Sequence, residues 1–157
     1  MKRTFFSLAL LLAVATLTAQ TKMTAREAAV KIADRILAST TYEFKNTKTG
    51  EIYKSVKKLP LDMDVKVACK YNNWHYTNGV TNMALMELGD KLGDKKYEKY
   101  VLKNMNFVFN EGNLDFFRKQ YDEAFKRDGW NAVRKLSWHM IFRGKRLDDL
   151  SLIHISE

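Results

Sequence analysis

From Trp74 to Gly79 the chain reads "WHYTNG", which sets the indole of Trp74, the imidazole of His75, the phenol of Tyr76 and the carboxamide of Asn78 side by side. A pyranose has an apolar C–H face that stacks on such rings, and hydroxyls that need amide donors and acceptors, so this group could form a sugar platform. Gly79 would let backbone approach a ligand or a neighbouring segment closely. The same rings at the mouth of a helix also serve as a hydrophobic staple or a core plug, and residue types alone leave both readings open. Asp148 and Asp149 follow "GKRL"; taken by themselves, paired aspartates there read as a helix cap or a solvated turn.

Other chemistries find little support. With three His and one Cys, no metal-ligand spacing appears. No Gly-rich phosphate loop or nucleophile elbow is present, so no cofactor is expected. His139, inside an apolar segment, reads as a hydrogen-bonded core histidine, and Cys69 as a small buried apolar side chain.

Helical periodicity supplies the elements that must position these residues. "TAREAAVKIADRILAST" opens with Thr24 and Glu27 at capping-box spacing and continues with Ala29, Ile32, Ala33 and Leu37 on one stripe. From Thr40 to Leu61 the pattern loosens around Gly50 and Pro60, which predicts a long loop. Val80, Met83, Ala84, Leu88 and Leu92 then form one stripe, and Tyr97, Tyr100, Val101, Met105 and Val108 a second. Between them Gly93 can close one helix and Asp94 cap the next, which predicts an αα-hairpin. A third helix carries Leu114, Phe117, Tyr121, Ala124 and Phe125 and stops near Gly129; a fourth, less regular, is expected over 130–142. No useful length alternates with period two, so the expected class is all-α.

Lys2 and Arg3 precede an apolar run from Phe5 to Leu17 and then "TLTAQ". This is the pattern of an export signal, expected to be cut after Ala19, with an apolar stretch too short to span a bilayer. The mature chain is therefore expected in the periplasm or outside the cell, with no membrane attachment after cleavage. A single cysteine allows no internal disulfide, so the fold must rest on its core. The composition, 46% hydrophobic and 12% aromatic, is that of a globular chain. The net charge of +9 suits acidic saccharides better than nucleic acid, for which an exported chain without a recognised binding signature is a poor candidate.

The stretch "WHYTNGVTNMALMELGDKLGDKKYEKY" resembles the N-terminal helical hairpin of glycoside hydrolase families 88 and 105, the unsaturated glucuronyl and rhamnogalacturonyl hydrolases. "SWHMIFRGKRLDD" is similar to the segment leading into their first active-site carboxylate. The resemblance runs from about Lys57 to Asp149 and implies part of a ring of six αα-hairpins, an α/α toroid, over residues 20–149. It further implies an unsaturated oligosaccharide substrate, produced by a polysaccharide lyase, whose C4=C5 double bond is hydrated. In it Trp74, His75, Tyr76 and Asn78 would line the sugar site, and Asp149, with Asp148 adjacent, would be the first catalytic aspartate. The turn expected after Asp149 is replaced by "LSLIHISE", which resembles translated sequencing-adapter sequence, so residues 150–157 are read as a non-native tail. The second aspartate of the family has no counterpart in the chain. The expectation is thus an incomplete toroid, inactive by itself and without a cooperative melt.

Two other classes compete. A non-catalytic helical-repeat binding module would show self-similarity at about 34 residues, and the Val80–Val108 and Leu114–Phe142 pairs show none. A different sugar-active α/α toroid, an epimerase or a lyase, would share the hairpin pattern.

Overall fold

The computed structural model describes residues 23–143. The expected signal segment with its cut at Ala19, the aspartates Asp148 and Asp149, and the 150–157 tail lie outside the described residues. The chain divides between Ile32 and Ala33 into two compact units. Of the first, residues 23–32 are described. They hold the capping box: Glu27 accepts from the backbone N–H and the hydroxyl of Thr24, and Thr24 Oγ1 accepts from the Glu27 N–H. That arrangement starts helix α1 (Ala25–Ser39) as its spacing predicts.

The second unit is mostly helical. After the end of α1 come strands β1 (Phe44–Asn46), β2 (Ile52–Tyr53) and β3 (Val65–Val67), then helices α2 (Tyr76–Leu92), α3 (Lys96–Val108), α4 (Glu111–Val133) and the short α5 (His139–Arg143). The hairpin is where its periodicity put it. Gly93 is left-handed at φ 67° and closes α2, and Asp94 Oδ1 accepts from the Lys96 N–H to start α3. The backbones approach closely at Gly89, where an added Cβ would meet Asp94 O at 3.1 Å. On this hairpin Ala33, Ile36 and Leu37 of α1 pack against Leu85, Tyr97, Tyr100 and Val101.

Three expectations are corrected. The segment read as a loop contains β1 and β2, which join β3 in an antiparallel sheet of order β2-β1-β3. Phe44 faces Tyr53 and Val67 across it, and Asn46 faces Val65. Asn46 also builds the β1–β2 turn: its Oδ1 accepts from the N–H groups of Lys48 and Thr49, while Gly50 takes φ 79°. Second, the stripe assigned to the core side of α2 holds only in its C-terminal half: Leu88 and Leu92 pack against the core, but Val80, Met83 and Ala84 are exposed, and Asn82, Leu85 and Gly89 are buried. Third, no continuous helix covers 130–142. The chain breaks at Asp128 and Gly129, where Gly129 has φ 53°, runs on to Val133, turns, and restarts only at His139.

That last turn exists to bury Trp138. Its ring is 1% exposed, 4.6 Å from the Phe117 ring and 5.8 Å from that of Phe107. Phe44 joins the group, stacked on Phe107 at 5.3 Å. Trp138 adopts φ 57°, a left-handed conformation that costs a non-glycine residue about 1–2 kcal/mol. Deleting a buried tryptophan costs about 3–5 kcal/mol, so packing outweighs the backbone cost. Gln120, fully buried on α4, fastens the sheet by donating to the carbonyls of Asp62 and Val65.

The packed clusters around Tyr97, Trp138 and Val133 give this chain a core that can melt cooperatively, against the expectation from an incomplete toroid, and two measurements check this arrangement. Trp138→Ala is expected to lose about 3–5 kcal/mol of unfolding free energy in urea. The Asp34 carboxylate is held below its ordinary value of 3.8 by the Lys96 ammonium at 2.8 Å and by the Tyr97 hydroxyl at 2.9 Å. A lowered carboxylate stabilises the fold above its unfolded value and ceases to do so as pH falls through its folded one. The melting temperature should therefore fall on acidification below about pH 4, and less steeply in Asp34→Asn.

Candidate functional site

The turn before α2 is built by local hydrogen bonds. Lys70–Asn72 forms a single 3-10 turn. Asn78, one turn into α2, donates from its amide nitrogen to the carbonyls of Lys70 and Asn73, at 2.7 and 2.6 Å. His75 is the N-cap: its backbone is extended, and its Nδ1 accepts from the Thr77 N–H, which leaves the ring proton on Nε2. From the other side, Trp138 Nε1 donates to the carbonyl of Asn72 at 2.8 Å. The residues picked out from sequence thus answer part of their own puzzle, because two of the four brace the helix mouth.

The same turn borders a cavity of about 340 Å³ between α2 and α3. Small-molecule sites begin near this size, at about 300 Å³. Trp74, His75 and Asn78 all line it; Tyr76 is 59% exposed and is not among its lining residues. Trp74 is half-buried, with its ring edge-on to Phe109 at 5.2 Å. Met83, Met86 and Leu102 form exposed walls.

Sequence reasoning missed the polar part of the lining. Asn72, Asn82 and Asn104 line the cavity and are 1%, 7% and 2% exposed. Asn104 Nδ2 donates to the Tyr71 carbonyl and to Asn82 Oδ1, both at 3.4 Å. Three buried atoms of the lining have no hydrogen-bond partner: the Oδ1 atoms of Asn72 and Asn104, and Nε1 of Trp74. A buried polar atom left unpaired costs about 1–3 kcal/mol. The signal was present in the chain. Asn82 precedes Leu85 and Gly89, and Asn104 lies between Tyr100 and Val108, so amides occupy apolar-face positions on both helices.

A second depression, of about 850 Å³, lies among Leu61, Asp62, Met63, Asp64 and the Glu123–Arg127 stretch of α4. Its charges are mixed, and Lys126 pairs with Glu123 at 3.0 Å. It reads as solvated surface. Among the described residues no group of three or more His, Cys, Asp and Glu is placed to hold a metal ion, and no helix is long and apolar enough to cross a membrane. His139 binds the Leu136 carbonyl through Nδ1. Cys69 is buried. No family profile, curated protein or solved structure matches the chain.

Asn78→Ala removes two hydrogen bonds from the helix mouth and should destabilise the protein by about 1–2 kcal/mol. Chemical denaturation measures this, and an unchanged midpoint would mean that the turn stands without its brace.

Proposed function

We propose that this chain is part of an exported glycoside hydrolase of the unsaturated glucuronyl or rhamnogalacturonyl type, families 88 and 105. The observation that carries the reading is the half-buried Trp74 on the wall of a cavity whose other lining includes the buried asparagines Asn72, Asn82 and Asn104. An indole beside amide groups is the chemistry a pyranose requires. The resemblance adds the substrate class. In this reading the α2–α3 hairpin belongs to an α/α toroid, and the exposed apolar side chains Val80, Met83, Met86 and Leu102 belong to a face that further helices cover.

The reaction adds water across the C4=C5 double bond of the terminal unsaturated uronic acid. A carboxylic acid protonates C4, and a carboxylate draws a proton from the water that attacks C5. The C5 hemiketal so formed opens to a ketone, leaving at C1 a hemiacetal that collapses to an aldehyde and releases the neighbouring sugar as an alcohol. No glycosyl-enzyme intermediate arises, so carboxylate separation carries no stereochemical message here. Asp149, with Asp148 beside it, is the proposed first catalytic aspartate. A helical module that docks a protein partner would use the same exposed apolar face, and it has no use for the amides.

The test is a titration of the chain with a lyase-derived unsaturated disaccharide, followed by tryptophan fluorescence. The expected result is a saturable change that disappears in Trp74→Phe. The reading fails if no response depends on Trp74.

A further inference from the structure

His75 is an unusual residue to start a helix. Helix starts are ordinarily closed by the oxygens of Ser, Thr, Asp or Asn. The other long helices follow that rule, with Thr24 accepting at α1, Asp94 at α3 and Asn110 at α4. Those oxygens accept at pH 5 much as they do at pH 8. At α2 the acceptor is an imidazole nitrogen, 3.4 Å from the Thr77 nitrogen and 3.1 Å from Thr77 Oγ1. Among the described residues it is the one partner of the Thr77 N–H, whereas the Asn78 and Gly79 N–H groups turn to the His75 carbonyl. A protonated ring has no lone pair for that N–H and keeps only the Thr77 hydroxyl as a partner. Its positive charge would also sit at the N-terminus of a 17-residue helix, where the helix dipole opposes it. The first turn of α2 holds no acidic residue to offset that charge. Across the cavity α3 contributes no titratable side chain, and the 3-10 turn brings Tyr71 and, beside it, Lys70 with its ammonium over the Tyr71 ring. Among the described residues no carboxylate pairs with His75.

We propose that His75 is a pH-sensitive latch on the first turn of α2. Neutral, it closes that turn; protonated, it releases the Thr77 N–H and lets Tyr76, Thr77 and Asn78 fray at the edge of the cavity. What gives way is the brace from Asn78 to the Lys70 and Asn73 carbonyls. The 3-10 turn itself stays in place, because Trp138 holds the Asn72 carbonyl without reference to His75. Further along, α2 is kept by its buried residues Asn82, Leu85 and Gly89. A histidine whose charged form is disfavoured by folding stabilises above the pH at which an imidazole titrates, about 6.5, and ceases to do so as pH falls through that range. This is the opposite sign to a histidine that gains an acidic partner. The window is also separate from that of Asp34, whose carboxylate is held below its ordinary value of 3.8. The latch rests on the geometry of the helix start and not on the ligand's being a saccharide.

The test is a titration of the whole chain from pH 8 to pH 5, followed by nuclear magnetic resonance. The signals are the His75 ring, the Cα shifts of Tyr76, Thr77 and Asn78, and the α3 residues as an internal standard. The three Cα shifts should move towards their unfolded values with the midpoint of the His75 ring itself, while α3 stays still. The frayed population of that turn should rise about three- to ten-fold. His75→Asn keeps an acceptor that does not titrate, so it should hold the three shifts at their helical values throughout. His139→Gln should leave the native response intact. The inference is overturned if the three shifts ignore the His75 titration, if they follow His139, or if His75→Asn frays in acid as the native chain does. Failure of His75→Asn to fold would contradict the capping role, because asparagine is a favoured cap. Each of these outcomes leaves the saccharide reading where it stood.

Discussion

Trp138 sits where the sheet, α3 and α4 meet, adding its ring to the Phe44–Phe107 stack and the Gln120 hydrogen bonds that also join them. Its ring fills the space between Phe44 of the sheet, Phe107 at the end of α3 and Phe117 of α4, and its N–H reaches the carbonyl of Asn72. Without it the 3-10 turn at Lys70–Asn72 would still be tied to α2 by Asn78, but not to the aromatic core. The shape of the cavity mouth follows, since Asn72 and Trp74 enter its lining from that turn. A left-handed residue, costly on its own account, is tolerated because so much packing depends on one ring.

Gln120, which donates to two carbonyls and leaves its own Oε1 unpartnered, and Asn46, which accepts from two backbone N–H groups, fasten loops and turns. Asn104 makes two long bonds and, like Asn72 and Gln120, leaves its side-chain oxygen unpartnered. Charge follows a separate logic. Lys45 and Lys66 sit directly opposite on neighbouring strands, an arrangement that repels. It is relieved because Lys66 donates to the Lys135 carbonyl, and burial lowers its affinity for a proton.

Long periodic segments were legible in the chain, and short ones were not. The α2–α3 hairpin, its Gly93 stop and the break at Gly129 could be read because each joins a repeat of several turns to a residue with a distinct backbone preference. The strands could not, because "FKN" and "VKV" alternate over three residues each, too few to separate from chance. The half of the α2 stripe that fails, Val80, Met83 and Ala84, has a different cause. Apolar side chains occur on both faces of that helix, and the buried face includes Asn82 and Gly89, which hydrophobic patterning does not count. For the same reason the aromatic mouth stood out while the amides behind it did not. Tyr76 was grouped with Trp74 by proximity in sequence, yet residues two apart at a helix start point in different directions, and only one of the two lines the cavity.

Hydrogen exchange of the Trp138 indole N–H tests the central claim most directly, since that proton joins the aromatic core to the turn bordering the cavity. If this contact anchors the fold, the proton exchanges no faster than the most protected backbone amides of α3 and α4, through global unfolding. Exchange at the rate of exposed turns, with the helices still protected, would contradict the account, because the mouth of the cavity would then open independently of the core.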